Sequence, residues 1–330
     1  MATTTRTRPP DQDEGRQSAA PLLFITVLVL AVLLQNPLRG ALSAPVMQSW
    51  TTVFVAVVIQ ALPFLVLGVL LSAAIAVFVP PTFFARALPN RPALAVPVAG
   101  AAGVVLPGCE CASVPVAGAL VRRGVTPAAA LAFLLSAPAI NPIVLTSTAV
   151  AFPGAPEMVL ARLVASLLTA CAMGWLWLRL GRTDWLRPPT RPSHEGQTRG
   201  AAFWGSVRHD VMHAGGFLVV GAMAAATLKA AAPESWLREL ASNPPLAILS
   251  LAFLAVLLSI CSEADAFVAA SLTHFSLTAR LTFLVVGPMI DLKLFAMQAG
   301  TFGRAFALRF APTTFVVAVV ISTATGAVLL

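Results

Sequence analysis

The chain has 330 residues, of which 58% are hydrophobic and only 10% charged, with a mean hydropathy of +0.88 and a formal net charge of +8. A soluble domain carries about a quarter charged residues, so the composition excludes an ordinary soluble fold and points to an all-α polytopic membrane protein. The positive balance does not indicate nucleic-acid binding, because the arginines sit between apolar segments, where they act as topology signals.

Residues 1–20 are polar and lack the arrangement of a cleavable signal sequence, so they read as a disordered cytoplasmic tail. Residues 21–50 contain the apolar run Leu22–Gln35, broken at Asn36-Pro37, and form an extra N-terminal transmembrane helix. Thr51–Val79 is an ample span. Ala93–Leu106 and Ala112–Val121 are each shorter than the roughly 20 helical residues a bilayer core requires. They read as half-helices meeting at Pro107-Gly-Cys-Glu-Cys111. Pro127–Phe152 spans, interrupted at Pro138-Ala-Ile-Asn-Pro142, and Met158–Leu180 spans. Gly181–Val207 is the one long hydrophilic connection, rich in arginine and proline. Val211–Ala232 is the next span. Pro244–Ile260 leads to a second break, Cys261-Ser-Glu-Ala-Asp265, followed by the short Ala266–Leu272. Leu277–Gly300, with Gly287-Pro288 and Asp291-Leu-Lys293 inside it, and Pro312–Leu330 complete the chain.

The two broken regions align at an offset of about 150 residues: Cys111 falls on Cys261, Pro138 on Pro288, Ile140 on Ile290 and Asn141 on Asp291. Phe64–Gly68 likewise resembles Phe217–Gly221. Matching Gly/Pro-interrupted apolar segments in two halves are the sequence mark of a transporter binding site. The expected organisation is a first transmembrane repeat over 51–180, a cytoplasmic linker over 181–207 and a second repeat over 208–330. With the N-terminus inside and each broken pair re-entering on its own side, the arginine-rich loops fall inside. The two repeats are then inverted, with their broken, re-entrant helix pairs meeting near the membrane midplane.

Ionisable groups at membrane depth are costly and mark function. Cys109 and Cys111 are two residues apart, and Cys261 shares a repeat position with Cys111. Thiolates select soft cations, so Cys109, Cys111 and Cys261 are the candidate metal ligands. Glu110, Glu263, Asp265 and Asp291 supply carboxylates, Lys293 one cation, and Asn141 an amide between two prolines. All nine are candidate substrate-binding residues. The bland alternatives are packing for the thiols and a structural Asp291–Lys293 pair. Cys171 lies in an apolar run and is expected to pack as a small hydrophobe.

Pro107-Gly-Cys-Glu-Cys-Ala-Ser-Val-Pro115, Arg122-Arg123-Gly124, Ser136-Ala-Pro-Ala-Ile-Asn-Pro142, Cys261-Ser-Glu-Ala-Asp-Ala-Phe267 and Gly287-Pro-Met-Ile-Asp-Leu-Lys293 together resemble the predicted permease family of the YraQ/YcgR type. That family is related to organoarsenical efflux permeases. The resemblance covers roughly Thr51 to Phe306. It implies a multi-pass bacterial inner-membrane permease and, in the members most like this chain, a small membrane partner encoded nearby. The cysteine role of the arsenical exporters does not transfer whole, because the Cys-Glu-Cys setting here is its own variant.

Three functions compete. The first is a permease, such as an efflux carrier, moving a thiol-seeking metal cation or metalloid through a site shared by the two breaks. The second is a transmembrane thiol–disulfide carrier using Cys111 and Cys261, and the third a membrane subunit of a larger complex. The carboxylates favour the permease, since a redox carrier does not need them. No Gly-x-x-x-x-Gly-Lys-Ser/Thr motif appears. The expected partners are the lipid bilayer, a small metal-like solute and, as the resemblance implies, a small membrane protein. No enzymatic activity, cofactor or nucleic acid is expected.

Overall fold

The computed structural model describes residues 45–106, 109–186, 198–231 and 244–330. The expected tail, all but the last residues of the extra N-terminal span, Pro107 and Gly108 of the first break, the middle of the hydrophilic connection and residues 232–243 lie outside the described residues. The chain divides into two units. The first, Met1–Thr51, contributes the first described turns of helix α1, and the second, Thr52–Leu330, holds everything discussed below.

The helices are α1 (Pro45–Phe78), α2 (Pro81–Ala87), α3 (Pro92–Ala102), α4 (Glu110–Arg122), α5 (Pro127–Ile140), α6 (Pro142–Ala151), α7 (Glu157–Leu180), α8 (Arg199–Ala231), α9 (Pro244–Leu258), α10 (Asp265–Ser271), α11 (Leu277–Met289), α12 (Leu292–Phe302) and α13 (Arg304–Leu329). Six stretches among the described residues are long and apolar enough to cross a membrane: α1, α5 with α6, α7, α8, α11 with α12, and α13. This is the all-α polytopic membrane protein the composition requires. Three helices start well before the sequence reading places them. α1 begins at Pro45, inside the stretch read as the extra N-terminal helix. α8 starts at Arg199, inside the stretch read as linker, and α13 starts at Arg304 and runs through Pro312.

The breaks have local causes. α3 gives way to a 3-10 turn, and then Leu106 is extended (φ −88°, ψ 102°). The residue before a proline is pushed out of the helical region, and Pro107 follows. α5 ends where Asn141 turns extended (φ −68°, ψ 156°) ahead of Pro142, the first residue of α6. α11 ends similarly, at extended Ile290 and Asp291, one turn after Pro288. Both broken spans restart in the same way. Asn141 Oδ1 accepts the Val144 N–H at 3.0 Å, and Asp291 Oδ1 accepts the Leu294 N–H at 2.6 Å. These N-caps satisfy backbone donors that lipid cannot.

Helices in a bilayer gain little from apolar burial against one another, so close approach by small residues and polar contacts hold them together. α5 shows this: Ala128, Ala129, Ala130, Ala132, Ala137 and Ala139 are all buried, where α5 packs against α3, α4 and α7. Cys171 packs beside Val96, Ala128 and Ala132 as a small hydrophobe. The short helices pair across the two halves of the sequence: α4 packs on α12, and α6 on α10. Leu62, Leu160, Phe253 and Val316 point outward and are exposed, as a lipid-facing surface requires.

Candidate functional site

Four short helices each begin on a polar side chain: α4 on Glu110, α6 behind Asn141, α10 on Asp265 and α12 behind Asp291. A carboxylate in a first helical turn is favoured by the positive end of the helix dipole. Pro/Gly interruption therefore does two things: it frees backbone groups and it supplies helix N-termini where acids are least costly.

The pairing of α4 with α12 brings Glu110 to Lys293, their charged atoms 2.5 Å apart. Lys293 Nζ also lies 3.4 Å from Asp291 Oδ2 and donates to the Ser259 carbonyl at 3.1 Å. Glu110 is fully buried, with Asp291 at 1% and Lys293 at 3% exposure. The other oxygen of Glu110 accepts from Ser262 Oγ at 3.4 Å. The Ser262 carbonyl in turn accepts from Arg162 Nη2 at 3.3 Å, and the same nitrogen binds both Asp265 oxygens at 3.0 and 3.1 Å. Arg162 Nη1 donates to Thr148 Oγ1 on α6 at 2.7 Å. A continuous polar chain thus runs Asp291–Lys293–Glu110–Ser262–Arg162–Asp265 through a buried apolar surround.

The thiols lie beside this chain. The ligand atoms of Cys109, Glu110 and Cys111 all fall within 4.8 Å of one another, and all three residues are buried. Cys109 also interacts directly with Cys261. All four cysteines of the chain are free. Cys261 donates to Glu263 Oε2, and Glu263 Oε1 is buried without a hydrogen-bond partner. Bonds from a soft metal to sulfur and oxygen are about 2.0–2.3 Å, so the Cys109–Glu110–Cys111 set would close around an ion with a shift of about an ångström.

Eight of the nine residues singled out by sequence, all but Asn141, belong to this network of thiols and charges. Asn141 serves its own break, donating to the Ala137 carbonyl at 3.2 Å as well as capping α6. Sequence reasoning passed over four participants: Arg162, Thr148, Ser262 and Ser259. Arg162 had a signal, since it is the only charged residue of α7 between Glu157 and Arg179, and an intramembrane charge marks function by default. Ser259 had none. It is the one non-glycine with positive φ among the described residues, at 47°.

A second polar cluster lies at the other end of α4. Arg122, His209, Asp210 and His213 line a small cavity there. Asp210 accepts from Ser72 Oγ at 3.1 Å, and His213 Nε2 lies 3.1 Å from the Gly300 carbonyl, to which it must donate. His213, which the sequence places near a helix start, sits well inside α8.

Residues 46–327 match the family described as "Predicted permease". The chain is 34% identical over 278 residues to the UPF0718 protein YcgR of Bacillus subtilis, an alignment covering 82% of this chain and 94% of that one. It is 31% identical over 276 residues to a Streptococcus mutans protein named "Putative two-component membrane permease complex subunit", covering 81% and 92%. No solved structure matches it.

Proposed function

The chain belongs to the predicted permease family, and from that premise we propose that it carries a thiol-seeking metal cation or metalloid out of the bacterial cell, across the inner membrane, through a site built from Cys109, Glu110, Cys111 and Cys261. The observation that carries this reading is the convergence of two sulfurs and a carboxylate within 4.8 Å in a buried setting, with a third thiol beside Cys109. Soft ligands of this kind prefer soft cations over the abundant hard ones. Glu263 and Asp265 balance charge, and Asn141, Asp291 and Lys293 hold the helix ends that border the site. The similarity to permeases supports a transporter rather than an enzyme.

In this reading the two halves are inverted repeats that alternate in exposing the centre. Helix starts at Pro127 and Pro142 recur at Leu277 and Leu292, at the same 150-residue spacing as the sequence motifs, and the short helices exchange partners between halves. The N-terminus and the 181–207 connection are cytoplasmic, as the arginine bias indicates. A cysteine placed at Thr190 tests this: all four native cysteines are buried, so rapid labelling of whole cells by an impermeant thiol reagent would reverse the orientation. The name of the streptococcal relative supports a partner subunit for this chain as well.

The test is flux in proteoliposomes holding the full chain, with Cd2+, Cu+ and arsenite as probes. The double variant Cys111→Ser/Cys261→Ser should insert normally and lose flux. Transport at the wild-type rate by that variant would make the cysteines packing residues. One observation favours a second reading, a thiol–disulfide carrier: Cys109 and Cys261, from different breaks, interact. Reversible oxidation of the thiols in the wild type without solute flux would establish it.

A further inference from the structure

Lys293 occupies a position built for a cation. An ammonium has three donors, and the three oxygens around Nζ belong to Glu110, Asp291 and the Ser259 carbonyl. That carbonyl reaches Lys293 from a residue held at φ 47°, a conformation that costs a non-glycine residue about 1–3 kcal/mol and clusters at functional sites. Strain is thus retained at the point where a backbone oxygen completes the cage. One member of the cage, Glu110, is also the carboxylate between the two thiols. The same carboxylate therefore faces the lysine and the candidate substrate position.

We propose that Lys293 is a tethered stand-in for the transported cation: it neutralises Glu110 and Asp291 while the site is empty, and an arriving cation must take Glu110 from it. This rests on the cation reading given above. Two properties follow. An empty carrier keeps its buried carboxylates compensated, whereas an uncompensated buried charge would be strongly destabilising. Selection is also sharpened. A hard cation offers Glu110 only the oxygen-type interaction it already has with the ammonium, so it gains little by displacing it. A soft cation gains sulfur ligands from Cys109 and Cys111, which offsets the loss of the lysine contact. Lys293 is thus a specificity-determining residue that acts through competition and never touches the substrate.

The experiment is Cd2+ titration of the purified full chain, following cadmium–thiolate absorption, in wild type, Cys111→Ser and Lys293→Met. Removing an internal competitor should raise apparent affinity, so Lys293→Met should bind Cd2+ about tenfold tighter or better, while Cys111→Ser binds more weakly. If the wild type binds, Cys111→Ser weakens binding and Lys293→Met binds no tighter, the stand-in is overturned and the cation site stands. If the wild type does not bind, or Cys111→Ser binds as well as the wild type, the cation site itself falls. Lys293→Met leaves two carboxylates exposed to each other and can fail to fold, so a second measurement uses the wild type. The chain has two lysines, Lys229 and Lys293, and 13C label at their ε carbons gives two signals, assigned with Lys229→Arg. Saturating Cd2+ should shift the Lys293 signal along the same binding curve. A Lys293 signal unmoved at saturation overturns the proposal.

Discussion

Arg162 and Asp265, 103 residues apart in the chain, form an ion pair at 3.0 Å in which neither side chain is more than 4% exposed. The pair fastens α7 to the first turn of α10, and the second guanidinium nitrogen fastens α7 to Thr148 on α6. A buried pair is weak evidence for net stability, because desolvation offsets much of the attraction, but breaking one partner leaves an orphan charge at a cost of about 3–5 kcal/mol.

Arg162→Met should therefore lower stability by about 3–5 kcal/mol. The double variant Arg162→Met/Asp265→Leu, which removes both charges, should recover most of that loss. Thermal unfolding in detergent, read by helical circular dichroism, gives the comparison. Equal loss in the single and double variants would mean that the guanidinium acts through Thr148 and Ser262 rather than through the carboxylate.

The capping residues give a second comparison. Asn141 and Asp291 hold the same position at the restart of α6 and α12. Asn141→Ala removes a buried cap and should cost about 1 kcal/mol, up to about 2. Asp291→Asn keeps an acceptor for the Leu294 N–H but removes a charge facing Lys293. It should change stability less than Asp291→Ala does, while altering Cd2+ affinity. If Asp291→Asn and Asp291→Ala are equally destabilising, the negative charge is what matters and the cap is incidental.

These residues also show what sequence could and could not reveal. Pro138, Pro142 and Pro288 act through local sterics, so the breaks were legible, and so were the polar residues beside them. The Asp291–Lys293 pair was legible because its members are two residues apart. The stronger contact of Lys293, with Glu110, depends on α12 packing against α4, and no spacing within either motif specifies that partner. The same holds for Cys109: the repeat offset pairs Cys111 with Cys261, yet Cys109 makes the contact with Cys261. The start of α8 was placed too late because Arg199 to Asp210 is polar enough to resemble a linker. It is nonetheless helical, and Ser206 and Val207 are buried. Arg162 was legible in principle, by the same rule that marked Glu110.

The last prediction concerns how the helices are brought close enough to form the site. Gly68 and Gly221 occupy similar Phe-x-x-x-Gly stretches in the two halves, and each lies where a helix backbone crosses it. A Cβ on Gly68 would fall 2.4 Å from the Ala112 Cα, and a Cβ on Gly221 2.5 Å from the Lys293 Cα. In both cases the obstacle is backbone, which cannot rotate away as a side-chain tip can. Gly221→Ala must push α8 and α12 apart at the residue that carries the ammonium, and overpacking of this kind costs about 1–3 kcal/mol. Ala is otherwise the better helix former by about 1 kcal/mol, so propensity alone predicts stabilisation at this mid-helix position, and the sign of the change decides between the two effects. We expect a loss of stability in Gly221→Ala together with a changed Cd2+ affinity, since Lys293 moves relative to Glu110. Gly216→Ala, on the same helix with nothing within 4 Å of an added Cβ, is the control and should be neutral or stabilising. Thermal unfolding of the two variants, with Cd2+ titration of each, makes the measurement. A stabilised Gly221→Ala with wild-type affinity would show that the contact between α8 and α12 is looser than its geometry, and that Lys293 is not held in place from behind.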